Sequence, residues 1–383
     1  MAEISIKDKL HSWIQRSIGT GNFTFTVENT TQKGEGYIGE LFFVKINLQQ
    51  PIDGKDVLYL VIKMNKKNPG SEKAVSILQD LCKREVFFYS TILKEYREFQ
   101  NDRKLSVLID IVPKCYQTFS ENDNEVIILE NLKKEGYVLH PREQPMNVAH
   151  LEMGLKSYAK LHAMSFALKD QNKEIFENMS KTCTSLVKEM FLNLKTMFDT
   201  RTHTLVETLK EAGRPDLSIV YEKYINDKSI YNRFMEGDDK TMPLRMVLLD
   251  FQAVCLHSPV IDISYFLYIN ISPTEVTKLK DFIEYYYTEF CSYLKQLGSD
   301  ADKVFPRSIF EEHLKKYLPY GVFLTLPCLE ILYLENDDTP ALFDEETKEF
   351  FGGLPKDLKI KSRDKYLQRL VALVDSFFNG PFA

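Results

Sequence analysis

The hydrophobic periodicity changes once along the chain, and this change most constrains the fold. In the first third, β-branched and aromatic runs at 41–46 (LFFVKI) and 57–64 (VLYLVIKM) predict two strands, with the turn-forming stretch QQPIDGKD between them. In the remainder, apolar residues recur mostly at helical spacing. The pattern predicts an α+β, two-lobed protein. A small strand-rich N-lobe (1–132) and a larger, mostly helical C-lobe (133–383) would share a cleft.

A helix and a hairpin are also predicted in the N-lobe, and one strand is predicted within the otherwise helical C-lobe. Ser71, after Pro69 and Gly70, is a capping-type residue that opens a helix. Residues 112–132 predict a hairpin with SENDNE as its turn. Within the helical half, 246–254 (MVLLDFQAV) is a short apolar run of the buried-strand type.

Composition excludes several classes of protein. A net charge of -6 argues against a nucleic-acid partner, because phosphate binding normally needs a basic face. No stretch approaches the roughly 20 apolar residues that a membrane span requires, and the first residues have no signal-type apolar core. Six cysteines lie far apart without a CxxC pair, which predicts reduced, mostly buried thiols and a cytoplasmic protein.

A glycine-rich stretch precedes the first strand of the N-lobe. Gly34, Gly36 and Gly39 have a spacing that lets a backbone fold closely over phosphates, where free N–H groups can donate. A plain glycine-rich turn explains the same pattern. No Gly-Lys-Ser/Thr follows, so the stretch is not a Walker loop.

Lys63 lies inside the apolar run LVIKM. A lysine within a buried-type strand is costly unless it is paired or reaches the surface with its terminal amine. Glu85, on the following predicted helix, is the natural partner. The order of glycine loop, strand lysine and helix glutamate is that of protein-kinase-type folds, which predicts that Lys63 points at a phosphate.

The helical half contains candidates for the remaining parts of a phosphotransferase site. Asp250 follows four apolar residues, a position suited to ligating a hard cation. Upstream, Asp227 and Asn232 have the Asp-x4-Asn spacing of a catalytic loop. This spacing predicts a carboxylate that orients the attacking hydroxyl and an amide oxygen that holds Mg²⁺.

At this point the chain resembles the ecdysteroid-kinase-like family of insects, within the choline and aminoglycoside kinase superfamily. The resemblance lies in 125–132 (EVIILENL), 157–168 (SYAKLHAMSFAL), 247–267 (VLLDFQAVCLHSPVIDISYFL), and LVIKM followed by KREVFFY. It implies ATP as donor, Mg²⁺ as cofactor, and a hydroxyl of a steroid-like or other small metabolite as acceptor.

The resemblance also implies residue roles. In the N-lobe, Lys63 would hold the α- and β-phosphates, Glu85 would orient Lys63, and Glu130 to Leu132 would form the hinge beside the adenine. In the C-lobe, the implied roles are base for Asp227, Mg²⁺ ligands for Asn232 and Asp250, and a structural brace of the catalytic loop for Asp262.

The catalytic loop departs from the family pattern His-Gly-Asp-x-Trp-x-x-Asn. Ile225 and Asn226 replace the His and Gly, and the Trp is lost, while Asp227 and Asn232 remain. Lys228 beside the base could lower the pKa of Asp227 or simply be solvated. An alternative register aligns Tyr221-Glu222-Lys223 with His-Gly-Asp and leaves no catalytic acid. The Asp227 register keeps Asn232 and the distance to Asp250.

Two other functions are alternatives to a small-molecule kinase. The altered loop motivates a pseudokinase that binds nucleotide or a small apolar ligand without phosphotransfer. A protein-substrate kinase is disfavoured because the chain after Asp250 leaves no room for a long activation loop. His162 is predicted to be structural and His257 a loop residue. The aromatic residues around Tyr285–Tyr287 are predicted to pack in the core, with a substrate pocket as the alternative.

Overall fold

The chain forms two compact units. The computed structural model describes residues 5–30, 39–65, 72–105, 111–121, 124–183, 187–227, 244–245, 251, 254–334 and 360–382. The first unit comprises Met1–Leu93 and Asp110–Leu139, and the second comprises Lys94–Ile109 and His140–Ala383. The predicted boundary after Leu132 therefore lies within the first unit.

The first unit is built on an antiparallel sheet. Within the described residues this sheet has five strands in the order β1-β2-β3-β5-β4. The strands are β1 (Phe23–Thr30), β2 (Gly39–Ile52), β3 (Lys55–Asn65), β4 (Cys115–Glu121) and β5 (Asn124–Glu130). Both predicted strands and the predicted hairpin are confirmed, whereas β1 was not predicted.

The turn between β2 and β3 follows from its sequence. Asp53 and Gly54 have φ values of 51° and 75°, so both occupy the left-handed region. Two consecutive residues with positive φ make the hairpin turn whose twist matches that of the flanking strands, and Asp-Gly is a favoured pair for it. The turn joins Ile52 to Lys55, which are paired across the hairpin.

A helix that the sequence interpretation missed precedes the sheet. α1 (Ile6–Ile18) begins after Ser5, whose side chain accepts from the backbone N–H of Asp8, and ends at Gly19 with φ 74°. Trp13 on this helix is buried and donates from Nε1 to Glu121 at 2.8 Å. α1 therefore closes one face of the sheet.

The core of the first unit fixes which way β3 faces. Alternate residues of β3, namely Leu58, Leu60, Ile62 and Met64, are buried with Trp13 and Val44 in one apolar cluster. Successive strand residues point to opposite faces. Lys63 therefore lies on the face opposite this cluster.

The next helical segment continues from the first unit into the second. α2 (Glu72–Phe87) is followed by a π-helix (Phe88–Ile92) and α3 (Leu93–Asp102). The predicted helix after Ser71 is confirmed. Ser71 itself lies outside the described residues.

The second unit is mostly helical, as predicted. Its further helices are α4 (Val148–Gln171), α5 (Lys173–Ser180), α6 (Val187–Glu211), α7 (Pro215–Ile225), α8 (Pro259–Asn270), α9 (Leu279–Gln296), α10 (Ala301–Val304), α11 (Arg307–Leu329) and α12 (Arg363–Asn379). β6 (Leu244–Arg245) and β7 (Cys255–Leu256) form an antiparallel pair. The α+β, two-lobed kinase-like fold class is confirmed.

Two further expectations concern the chain as a whole. In the parts of the chain that the structure describes, every helix is too short or too polar to cross a membrane. The six cysteines form no disulfide bonds; Cys82, Cys183 and Cys255 are buried, and the other three are partly exposed.

Candidate functional site

Lys63 and Glu85 form an ion pair in the first unit. The Nζ atom of Lys63 lies 2.7 Å from Oε2 and 2.8 Å from Oε1 of Glu85. The Glu85 side chain is 3% exposed and that of Lys63 is 18% exposed. This low exposure shields the pair from solvent. The pairing predicted from the sequence is observed, and a role in phosphate binding remains a prediction.

Lys63 and Glu85 both lie on regular secondary structure, a strand and a helix. β3 is an interior strand of the sheet, so Lys63 is held between Leu41 of β2 and Ile127 of β5. Glu85 lies in the last turn of α2. Because both residues sit on hydrogen-bonded elements rather than loops, the lysine amine has a defined position.

Of the three glycines in the glycine-rich stretch, Gly39 lies within the described residues. Gly39 begins β2 and is paired with Asn65, while Gly34 and Gly36 lie outside the described residues. A Cβ atom on Gly39 would lie 2.9 Å from the carbonyl oxygen of Met64 and 3.4 Å from Cγ of Lys63. Gly39 therefore permits close approach of β2 to the part of β3 that carries the lysine.

The predicted hinge is anchored by its own side chains. The Glu130 carboxylate accepts from the backbone N–H of Lys114 at 2.6 Å. Asn131 is buried, its backbone N–H donates to Tyr59 at 3.0 Å, and its side chain caps the 3-10 helix Leu132–Glu135. These bonds fix the backbone around Leu132, and contact with an adenine remains a prediction.

Asp227 is the described member of the predicted catalytic triplet. It is exposed and directly follows α7, and its backbone N–H donates to Tyr224 at 3.2 Å. Asn232 and Asp250 lie outside the described residues. The structure therefore does not test whether these three side chains converge.

The end of α7 bears on the choice of register. Ile225 is the last helical residue, and Asn226 caps the helix. The alternative register places Tyr221 to Lys223 at the catalytic positions, yet these residues lie inside α7 and Tyr221 is 3% exposed. The loop that would follow Asp227 lies outside the described residues, so the Asp227 register stays a prediction.

The predicted buried strand at 246–254 lies largely outside the described residues. Its two described members, Phe251 and Val254, are each 0% exposed. β6 and β7, which flank this segment along the chain, pair antiparallel. Asp250 itself lies outside the described residues.

His162, Asp262 and Tyr286 form a buried polar network. The Nε2 atom of His162 lies 3.2 Å from Oδ2 of Asp262, and Nδ1 lies 2.8 Å from the hydroxyl of Tyr286. The three residues are at most 2% exposed. A carboxylate needs a donor, so Nε2–H donates to Asp262 and Nδ1 accepts from Tyr286. Burial keeps the pKa of Tyr286 well above its usual value, so the phenol stays protonated.

This network agrees with the structural role predicted for His162. Sequence reasoning missed Tyr286 as its partner, because residues 124 positions apart share no local pattern. Tyr286, Tyr287 and Phe290 are buried, and Tyr287 stacks on Phe310 with ring centroids 4.5 Å apart. The predicted packing of these aromatic residues in the core is confirmed.

Replacing Tyr286 with phenylalanine removes only the hydroxyl that donates to His162. We expect the free energy of unfolding to fall by about 1–3 kcal/mol, because a buried imidazole nitrogen loses its donor. Denaturant unfolding measures the loss. Tyr285→Phe is the matched control on a half-buried neighbour and should stay within about 0.5 kcal/mol of wild type. Equal effects of the two substitutions would contradict the assigned hydrogen bond.

A second polar cluster lies at the start of α8. Ser258 caps this helix by accepting from the backbone N–H of Val260, and Nδ1 of His313 lies 2.8 Å from its hydroxyl. His257 is 2% exposed and accepts from the N–H of Ser258 at 2.8 Å. The loop assignment of His257 is correct, but its burial was not predicted. The Ser258-Pro259 pair is the sequence signal for this helix start.

The described residues contain no cluster of three or more His, Cys, Asp or Glu side chains that could hold a metal ion. Both predicted Mg²⁺ ligands, Asn232 and Asp250, lie outside those residues. Their chemistry, an amide oxygen and a carboxylate, suits a hard cation. The magnesium site therefore remains a prediction from the sequence.

Comparison with known proteins identifies a family. A model of the ecdysteroid kinase-like family matches residues 33–225 and 224–299. The two matched parts overlap at residues 224 and 225. No curated protein and no solved structure matches the chain.

Proposed function

Because the chain belongs to the ecdysteroid kinase-like family, we propose that it is an ATP-dependent kinase that phosphorylates a hydroxyl group of a small molecule. Membership supports a phosphotransferase in general, with ATP and Mg²⁺ as its usual requirements. The proposed acceptor is a steroid-like or other small hydroxylated metabolite, and the proposed location is the cytoplasm.

One observation carries the proposal: the shielded ion pair of Lys63 and Glu85. A buried pair of this kind contributes little to stability over an apolar replacement, so its presence calls for another explanation. Glu85 holds the Lys63 amine in place, and the Lys63 side chain is 18% exposed, more than that of Glu85. A cation held in this way suits the α- and β-phosphates of a nucleotide.

Residues of the second unit are expected to position the acceptor hydroxyl and the metal ion for the reaction. Asp227 would orient the acceptor hydroxyl and accept its proton, and Asn232 and Asp250 would hold the metal. When bound, Mg·ATP supplies the phosphoryl group and the metal charge that offsets the negative charge developing on it. Asp227 is exposed at the end of α7.

A thermal-shift experiment with Mg·ATP, followed by mass spectrometry of a panel of hydroxylated metabolites, tests the proposal. At a nucleotide concentration of about 100 times Kd, binding should stabilise the fold by about 2.7 kcal/mol. A phosphorylated product should appear with an acceptor from the panel. An unchanged unfolding midpoint would rule out nucleotide binding and with it the proposed kinase.

A second candidate is a pseudokinase that binds nucleotide without transferring phosphate. The favouring observation is that Ile225 and Asn226, at the positions of the family's His and Gly, are the last residue and the cap of α7. Ile225 has no polar side-chain atom with which to make the hydrogen bond of such a histidine, and the Asn226 amide donates to the carbonyl of Glu222. A thermal shift without phosphorylation of any acceptor would select this candidate.

A further inference from the structure

Two exposed histidines of the second unit lie side by side. The rings of His140 and His150 have their centroids 5.5 Å apart and are inclined to each other by 59°, so they do not stack face to face. Both residues are exposed, unlike the buried His162, His257 and His313. An ion in solution can therefore reach the ring nitrogens of this pair.

One ring nitrogen of His140 is bonded to the backbone. Its Nε2 atom lies 2.9 Å from the carbonyl oxygen of Gln144. A carbonyl oxygen only accepts, so Nε2–H is the donor, and Nδ1 of the neutral ring carries a lone pair. Histidines that ligate metals usually donate their other N–H in this way, because the bond fixes the tautomer and makes the ligating nitrogen more basic. His140 therefore has the arrangement of a metal ligand, with Nδ1 as the ligating atom.

His150 lies in the first turn of α4. The side chain of Asn147, which caps this helix, accepts from the backbone N–H of His150 at 2.9 Å. This bond fixes the backbone of His150, while its exposed ring can rotate without losing buried contacts. His150 can therefore turn a ring nitrogen toward Nδ1 of His140 at little cost in free energy.

The loop between His140 and α4 is held by backbone hydrogen bonds. The N–H of Gln144 donates to the carbonyl of Pro141 at 3.0 Å, which closes a turn directly after His140. The N–H of Met146 donates to the carbonyl of Asn270 at 2.8 Å, which ties the loop to the end of α8. These bonds keep the two histidines close before a ligand binds, and such preorganisation lowers the entropic cost of binding.

The separation of the two rings fits a shared metal ion. A metal–nitrogen bond to histidine is about 2.0–2.1 Å long and a ring nitrogen lies about 1.2 Å from the ring centre, so the ion is about 3.2 Å from each centre. At a tetrahedral angle the two ring centres are then about 5.2 Å apart. The observed separation of 5.5 Å is close to this value, so small side-chain rotations bring a nitrogen of each ring to one ion.

We propose that His140 and His150 bind one transition-metal ion of the class that prefers imidazole ligands, such as Zn²⁺, Ni²⁺ or Cu²⁺. The described residues contain no group of three or more ligand side chains, so water completes the coordination. Mg²⁺ prefers oxygen ligands, which separates this site from the one predicted at Asn232 and Asp250. The N-terminal end of α4 disfavours a cation, but this effect is weak at an exposed position and is screened by salt.

Calorimetric titration of the full chain with Ni²⁺ and with Zn²⁺, without nucleotide, tests the site. In its tightest binding step the wild type should take up one ion per chain, and an excess of Mg²⁺ should not displace that ion. His140→Gln and His150→Gln should each weaken this step by at least about 10-fold, since loss of a ligand's hydrogen-bond partner alone costs about 10–100-fold. Both substitutions are at exposed positions, so the unfolding midpoint without metal should stay at its wild-type value.

Matched variants separate this site from other effects. His203→Gln replaces an exposed histidine of α6 in the same unit and should bind the ion as the wild type does. Lys63→Met should also bind it. The double variant His140→Gln/His150→Gln should keep the stabilisation by Mg·ATP, so failure of the metal site and failure of the proposed kinase can be distinguished.

Four results would overturn the two-histidine site. The first is a wild type that takes up neither Ni²⁺ nor Zn²⁺. Equal affinities of the wild type, His140→Gln and His150→Gln would place the ion elsewhere on the chain. A loss of the same size in His203→Gln would show non-specific binding to exposed imidazoles. Displacement of the ion by Mg²⁺ would show that oxygen atoms rather than imidazoles hold it.

Discussion

Replacing Lys63 with methionine should lower phosphotransfer by about 10²–10³-fold, the usual effect of removing one donor from a charged reaction site. The same change should abolish the stabilisation by Mg·ATP. The reason is geometric: Glu85 fixes the lysine amine at 2.7 Å, and methionine fills a similar volume without the charge. Rate measurements with the acceptor, together with thermal shifts, measure the two effects.

Stability and function must be separated in this variant. Lys63→Met leaves the buried Glu85 carboxylate without its lysine, which should cost about 3–5 kcal/mol of unfolding free energy. Adding Glu85→Gln removes the carboxylate charge and should restore part of the stability but not nucleotide binding. Lys55→Met on the same strand is the matched control, since the Lys55 side chain is 59% exposed. Normal Mg·ATP binding by the double variant would contradict the phosphate role of Lys63.

Replacing Asp227 with asparagine should lower turnover by about 10²–10⁴-fold, the range for removal of a general base. Nucleotide binding should survive, because Lys63 and Glu85 lie on other elements. Asparagine keeps the shape of the side chain and cannot accept the proton of the acceptor hydroxyl. Turnover and the Mg·ATP thermal shift, measured on the same preparation, separate the two expectations.

Glu222→Gln is the control for this substitution. Glu222 is an exposed acid of α7 close to Asp227 in sequence, so it tests for a general effect of negative charge. Turnover of Glu222→Gln should equal that of wild type. An active Asp227→Asn enzyme would show that another acid acts as base and that the Asp227 register is wrong.

Strands and turns of the fold could be predicted from the sequence where a pattern of a few neighbouring residues determines them. The runs at 41–46 and 57–64 became β2 and β3, and Asp53-Gly54 became their turn, because alternation and turn chemistry act over a few residues. β1 and α1 were missed. The strand FTFTVENT is largely exposed. Leu10, Trp13 and Ile14 of α1 do recur at helical spacing, but the interpretation of the sequence did not use this signal.

The candidate site was predictable only in part. Lys63 and Glu85 were paired from their order on a strand and the next helix. The bond from Tyr286 to His162 links residues 124 positions apart, and tertiary packing alone determines such contacts.

The passage of α3 into the second unit has a consequence for synthesis of the chain. Tyr96 and Gln100 of this helix are each 0% exposed, and Gln100 donates to Tyr293, which lies 193 positions later. The apolar face of α3 therefore leaves the ribosome long before its partner helix exists. During this interval Tyr96 and Phe99 of α3 have no helix of the second unit to pack against. A fragment that starts at His140 would lack α3 and leave its binding surface exposed.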